Sequence, residues 1–190
     1  MVRHNTIRAK CPVVGDPSVG KSTLIQMFTR TVDFPLAYNM THAVEVSSKA
    51  VHIPETEDRV ELFFLDCSGR AFYAPFRYKL IHDPSVVCVV FDVTNEESFR
   101  NASKWLEEVK QKGGDELLPG VLVGTKIDLT DLRVISPMAG KDVANSLGLT
   151  YFECSAKERK DLELPFFYLA NEWHRIYMEK TDGFRRFMVH

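Results

Sequence analysis

Residues 15–22 read Gly-Asp-Pro-Ser-Val-Gly-Lys-Ser, two glycines bracketing four residues and followed at once by a lysine and a hydroxyl. That spacing suits phosphate. The glycines let the backbone wrap until its N–H groups converge on phosphate oxygens at a helix start, where the helix dipole also favours anions. Gly15, Asp16, Pro17, Ser18, Val19 and Gly20 then form the cradle, Lys21 reaches the β- and γ-phosphates, and Ser22, followed by Thr23, ligates Mg²⁺. Residues 125–128, Thr-Lys-Ile-Asp, choose the base. The Asp128 carboxylate pairs with the guanine N1–H and exocyclic amine, a donor pair adenine lacks. Such a site rejects the wrong base by roughly 10⁴ or more, because its own acceptor would go unpaired. Lys126, after Thr125, lays its stem over the base, and backbone N–H groups of Ser155, Ala156 and Lys157 meet the guanine O6. Asp66-Cys67-Ser68-Gly69 supplies an aspartate that holds a water on Mg²⁺ and a glycine N–H for the γ-phosphate. The Thr41 hydroxyl completes the metal shell when GTP is bound, and Phe34 stacks on the edge of the base. Taken singly, Thr41 and Ser155-Ala156-Lys157 are ordinary loop residues, and the ordered set carries the reading. The cofactors it implies are GTP or GDP and Mg²⁺.

These residues need a sheet whose strand ends face one way. Apolar runs alternate with helical patterns along nearly the whole chain, the mark of an α/β fold with a mostly parallel sheet covered on both faces by helices. Strands are expected at residues 7–14, 44–53, 60–65, 86–91, 121–123 and 151–154, six in all, with 54–58 as a hairpin turn joining the second and third into an antiparallel edge pair. Helices are expected from Lys21, with Leu24, Ile25 and Phe28 on the core; from a capping box at Thr94 and Glu97, with Phe99, Ala102, Leu106 and Val109 at helical spacing; over 136–147, ending at Gly148; and over about 164–179. Residues 31–40 and 113–119 read as loops. Pro12 removes a ladder donor from the first strand, which predicts a bulge or slip beside Cys11.

Length and apolar content, 190 residues and 45%, fit one domain, with residues 1–180 as its body and 181–190 as a tail. Charge nearly balances, 24 basic against 26 acidic residues, which gives no footprint for nucleic acid or an anionic membrane. Cys11, Cys67, Cys88 and Cys154 lack metal-ligand spacing and read as reduced thiols, three of them in or beside buried strands. No signal peptide or spanning segment is evident, so a soluble intracellular protein is expected. Phe166, Ala170, Trp173 and Tyr177 share one face of the last helix and read as core. Phe184, Phe187 and Met188 form a terminal apolar cluster that suits a protein partner.

The five elements Gly15 to Ser22, Thr41, Asp66 to Gly69, Thr125 to Asp128 and Glu153 to Lys157 resemble, in order and spacing, those of the Ras-like small GTPases. The resemblance covers nearly the whole chain. Within that superfamily, residues 38–46 (Tyr-Asn-Met-Thr-His-Ala-Val-Glu-Val), VELFFLDCSG, VVFDVTNEESF, KWLEEVK and LPGVLVGTKIDL look most like the Rab-like GTPase subunit of intraflagellar transport complex B. The resemblance implies a Ras-like P-loop fold, GTP hydrolysis, a cytoplasmic and ciliary or flagellar location, including the base of that organelle, and protein partners. Those partners would be a small β-sandwich intraflagellar transport subunit and other complex B subunits, with the last helix and tail as contacts.

Departures from the Rab pattern matter as much. Rab proteins commonly end in prenylated cysteines, whereas here no cysteine follows Cys154 and no prenyl anchor is expected. Arg70 stands where a glutamine usually orients the attacking water, and Pro17 crowds the same place, so slow intrinsic hydrolysis is expected from a catalytic set of Lys21, Thr41, Gly69 and Arg70. His42 and Ala43 replace the isoleucine and glycine usual after the switch threonine, which disfavours ordinary Rab effectors. Two other readings share the motifs: a vesicle-traffic GTPase that cycles with an activating protein, and a nucleotide-independent pseudo-GTPase.

Overall fold

The computed structural model describes residues 5–30, 33–35, 39–113 and 118–187, with backbone alone from residue 183 onward. Six strands, β1 (Thr6–Val14), β2 (Val44–His52), β3 (Arg59–Cys67), β4 (Val87–Asp92), β5 (Gly120–Thr125) and β6 (Thr150–Glu153), form one sheet in the order β2-β3-β1-β4-β5-β6. Only the edge pair β2–β3 is antiparallel among these strands; every other pairing is parallel. That is the six-stranded, mostly parallel sheet with one antiparallel edge strand expected from the apolar runs. Every residue of β4 and β5 is buried, as strands covered on both faces must be.

Alternation along the strands splits the core in two. Cys88 and Val90 of β4 join Leu24, Phe28, Phe64, Phe166 and Leu169 on the face covered by α1 (Lys21–Thr29) and the last helix. Val87, Val89 and Phe91 join Trp105, Leu106, Val109 and Ala144 on the other. Phe28 is held between Phe64, at 5.8 Å and edge-on, and Phe166, at 4.5 Å, so α1 is fixed with the Lys21–Ser22 end at the C-terminal edge of the sheet. All four cysteines are free and buried, and burial pushes the Cys67 and Cys154 thiols up to about 12, which suits inert core groups.

Several expectations need correction, among them Tyr177, read as core on the last helix but 43% exposed. Pro12 causes no bulge: β1 pairs with β3 in unbroken register from Thr6↔Arg59 to Val13↔Asp66. The reason lies in alternation. Lys10 turns its N–H and C=O toward Ser85 and Val86, so Pro12, two residues on, turns the same way, where pairing with β4 begins only at Val13. The missing donor therefore falls outside the β1–β3 ladder. The expected Thr94–Glu97 capping box is not formed. Asn95 caps α3 (Glu96–Arg100) by accepting from the Ser98 N–H, while Thr94 turns back onto Asp92, and a second helix, α4 (Ala102–Lys110), follows Asn101. A short 3-10 turn (Ala71–Tyr73) leading into α2 (Ala74–Leu80) was not expected, because its apolar residues face outward: Phe72 is 80% and Phe76 53% exposed, while the buried side chain is Arg77. Finally, α6 (Leu164–Phe187) runs past residue 179 without a break. Arg175 pairs with Glu172 and Glu179 along its exposed side, and a glycine such as Gly183 costs a helix only about 1 kcal/mol. The terminal apolar cluster of Phe184, Phe187 and Met188 lies outside the described side chains. Helix α5 (Pro137–Leu147) matches its expectation, capped by the Ser136 hydroxyl and ended by Gly148 at φ 71°.

Candidate functional site

The loop from β1 to α1 turns on two glycines. A Cβ on Gly15 would lie 2.1 Å from the Val90 carbonyl oxygen, and Gly20 adopts φ 98° directly before the helix. Lys21, the first residue of α1, is buried and folds back so that its ammonium donates to the Gly15 and Asp16 carbonyls at 2.8 and 2.7 Å. Burial pulls its pKa down to about 8 even though Asp66 and Asp16 oppose that.

Beside it the hydroxyls of Ser22 and Thr41 stand 2.7 Å apart, and the Thr41 hydroxyl lies 3.5 Å from Asp66 Oδ2. The other Asp66 oxygen, Oδ1, is buried with no hydrogen-bond partner, and burial raises the carboxyl above its usual range against the pull of Ser22 and Lys21. Two hydroxyls beside a carboxylate make an all-oxygen, hard donor set, which fits Mg²⁺.

The base end lies between β5 and β6. The Asp128 carboxylate accepts from the Ser155 hydroxyl at 2.6 Å, and Lys126, at φ 63°, is held by an ion pair of 2.5 Å with Asp92. Thr125 spends its hydroxyl on the Val19 and Phe91 carbonyls, at 2.6 and 3.0 Å, and so ties the base strand to the phosphate loop. Behind the second loop, Arg133 grips Glu153 through two bonds of 2.9 Å and Tyr151 adds a third of 2.7 Å. Burial would raise the Glu153 carboxyl, yet these partners hold it below its usual range.

One cavity of about 420 Å³ joins the two ends. Its walls include Pro17, Ser18, Gly20, Lys21, Ser22, Thr23, Phe34, Thr41, Gly69, Arg70, Thr125, Lys126, Asp128, Ala156 and Lys157, so it gathers most of the residues singled out by the sequence. Its size fits a drug-sized ligand with several polar anchors. This constellation has a family. A model of the Ras family matches residues 10–175. The chain belongs to the Ras family. It is 43% identical to the intraflagellar transport protein 27 homolog of Bos taurus and 42% identical to that of Homo sapiens, each over 180 residues spanning 94% of this chain and 97% of the relative. Intraflagellar transport protein 27 of Chlamydomonas reinhardtii is 38% identical over 186 residues, 95% of this chain and 91% of that one. Membership of the Ras family implies guanine-nucleotide binding.

Some expected residues stand behind the wall. Asp16 turns its carboxylate outward to Trp105 Nε1 and Asn101 Nδ2, at 2.7 and 2.9 Å, and contributes only backbone to the phosphate loop. Gly15 and Val19 likewise serve through backbone, Ser155 sits wholly buried beneath Asp128, and Asp66 lies behind Ser22 and Thr41. Other groups were missed by sequence reasoning: Asp92, Trp105, Asn101 and Arg133 each hold a site residue without touching the cavity. Asp92 ends a buried strand, which is a signal that was there to read; Arg133 and Trp105 carry none, since their partners are remote in sequence.

Proposed function

We propose that this chain is a Rab-like guanine-nucleotide-binding subunit of intraflagellar transport complex B, with GTP or GDP and Mg²⁺ in the cavity and slow GTP hydrolysis. The observation that carries the nucleotide half is one cavity whose wall runs from Lys21, Ser22 and Thr41, with the Asp66 carboxylate behind them, to Asp128, which Ser155 holds from beneath. Ser22, Thr41 and, through water, Asp66 would hold Mg²⁺, which would supply charge neutralisation for phosphoryl transfer. The chain's own residues do the rest. Lys21 exchanges its two carbonyl partners for β- and γ-phosphate oxygens, Gly69 offers its N–H, Asp128 and Lys126 hold the base, and Phe34 and Ala156–Lys157 close around it.

Arg70 lines the cavity and follows Asp66 to Gly69 directly, where Ras-like proteins usually carry the water-orienting glutamine. A glutamine there can accept a hydrogen bond from water through its carbonyl oxygen while its amide N–H donates one. A guanidinium has donors and no acceptor, so Arg70 can favour phosphate charge but cannot orient water by accepting from it. Slow hydrolysis follows. The ciliary half is supported by the relatives named intraflagellar transport protein 27, which share over nine-tenths of their length with this chain, and by the resemblance to the complex B subunit. Protein partners in that complex, among them a small β-sandwich subunit, and a location at the cilium or flagellum belong to this proposal. No helix of the described residues is long and apolar enough to cross a membrane.

The test is direct. Purified protein, denatured and chromatographed, should release GTP or GDP in near-equal amount to the chain; protein that carried and took up no guanine nucleotide would contradict the nucleotide half. Tagged protein from ciliated cells should co-purify with complex B subunits, and their absence would contradict the ciliary half.

A further inference from the structure

Arg77 is a cation in an unusual place. It is 3% exposed on α2, and its guanidinium carbon sits 4.8 Å from the centre of the Trp105 ring. One nitrogen, Nη1, donates to two carbonyls, those of Ser68 and Arg70, both at 2.8 Å. Its other nitrogens reach Glu108 of α4, at 3.1 and 3.4 Å. The two carbonyls flank Gly69. A trans peptide is planar, with its C=O and N–H on opposite sides. Because the Ser68 carbonyl faces Arg77, the Gly69 N–H of the same peptide faces away from it, toward the cavity that Ser68 and Gly69 line. Gly69 is also pressed on the phosphate loop: a Cβ there would lie 2.4 Å from Pro17 N and 2.5 Å from the Asp16 carbonyl carbon. The phosphate loop is anchored to the same helix, through Asp16 to Trp105 and Asn101. Both walls of the γ-phosphate end are thus referred to α4, one by Asp16 and the other by Arg77.

We propose that Arg77 is a positioning residue for the γ-phosphate: by holding the carbonyls on both sides of Gly69, it sets the orientation of the Gly69 N–H before nucleotide arrives. The inference rests on the guanine-nucleotide reading of the cavity. It predicts discrimination between nucleotides, since only a triphosphate has a group for Gly69 to meet.

The experiment measures affinities for GDP and for a slowly hydrolysed GTP analogue, in Mg²⁺, on the full chain with Arg77 intact, with Arg77→Met and with Arg77→Lys. Arg77→Met should weaken the triphosphate about tenfold and leave GDP within about twofold. Arg77→Lys should recover most of the loss, because an ammonium can still donate to both carbonyls. Equal weakening of both nucleotides, or of neither, would overturn the proposal. Should Arg77→Met fail to fold, Glu108→Gln weakens the grip on the Arg77 guanidinium and so its hold on both carbonyls; it should weaken the triphosphate about threefold with GDP unchanged, and an equal effect on both, or on neither, would count against the idea. Wild-type protein that took up neither nucleotide would remove the underlying reading, an outcome distinct from binding without discrimination.

Discussion

The Ser155 hydroxyl donates to one oxygen of the Asp128 carboxylate at 2.6 Å, joining two base-site segments that lie 27 residues apart. The bond fixes the plane in which the carboxylate meets a base and links β5 to β6 at their C-terminal ends. Ser155→Ala should weaken GTP and GDP alike by about tenfold, the worth of one charge-assisted hydrogen bond. Asp128→Asn should cost over about a hundredfold for guanine nucleotides and gain for xanthine ones, whose base offers an oxygen where guanine has an amine. Displacement of a fluorescent GDP measures both.

Trp105 holds the phosphate loop from behind. Its indole N–H bonds Asp16 at 2.7 Å, and replacing it by phenylalanine leaves that oxygen of the carboxylate without its partner. Trp105→Phe should lower unfolding free energy by about 1–2 kcal/mol, read from urea denaturation of the GDP-bound protein. An unchanged midpoint would mean the bond contributes nothing.

Gly69 has no room for a side chain. The atoms a Cβ would meet, Pro17 N, the Asp16 carbonyl carbon and the Gly15 carbonyl oxygen, are all phosphate-loop backbone at 2.4–2.6 Å and cannot swing aside. Gly69→Ala should therefore displace one loop from the other and weaken a GTP analogue by at least about tenfold, while circular dichroism stays near wild type. Full triphosphate affinity in that variant would contradict the packing described.

How far the sequence reached depends on where each signal lives. The phosphate loop, Asp66 to Gly69, Thr125 to Asp128 and Ser155 to Lys157 were legible because each is a short contiguous segment with a fixed chemical task. Strands β4 and β5 were legible as unbroken apolar runs. Helix α2 was not, since its one buried side chain is a charged arginine and its phenylalanines face solvent, the reverse of a core-facing helix. The Pro12 bulge was expected for a sound reason, yet which side of a strand a proline faces depends on pairing that sequence does not display. Asp16 was read only as backbone of the cradle; the partners of its carboxylate lie 85 and 89 residues away, beyond any local pattern.

The pair His174–Asp58 fastens α6 to the β2–β3 hairpin, with Nε2 and Oδ2 at 2.9 Å and both side chains 13% exposed. The hydrogen bond from His174 holds the Asp58 carboxyl below its usual range, with the Asn5 N–H assisting. A depressed carboxyl contributes stability above its unfolded value, near pH 4, and loses it as pH falls through the folded value. His174→Ala should cost about 1 kcal/mol near pH 6, with the gap to wild type closing as pH drops below about 4. Thermal melts across that range check it; a gap that stayed constant with pH would assign the loss to packing alone.

The measurement closest to the central claim is single-turnover hydrolysis of loaded GTP by the native chain and by Arg70→Gln, after denaturation of a parallel sample has identified the bound nucleotide. Ras hydrolyses GTP unaided at only about 10⁻⁴ per second. The account predicts bound guanine nucleotide, native hydrolysis slower than that rate, and a clear rise when glutamine restores an acceptor for the attacking water. Brisk hydrolysis by the native chain, unchanged or reduced in Arg70→Gln, would contradict it.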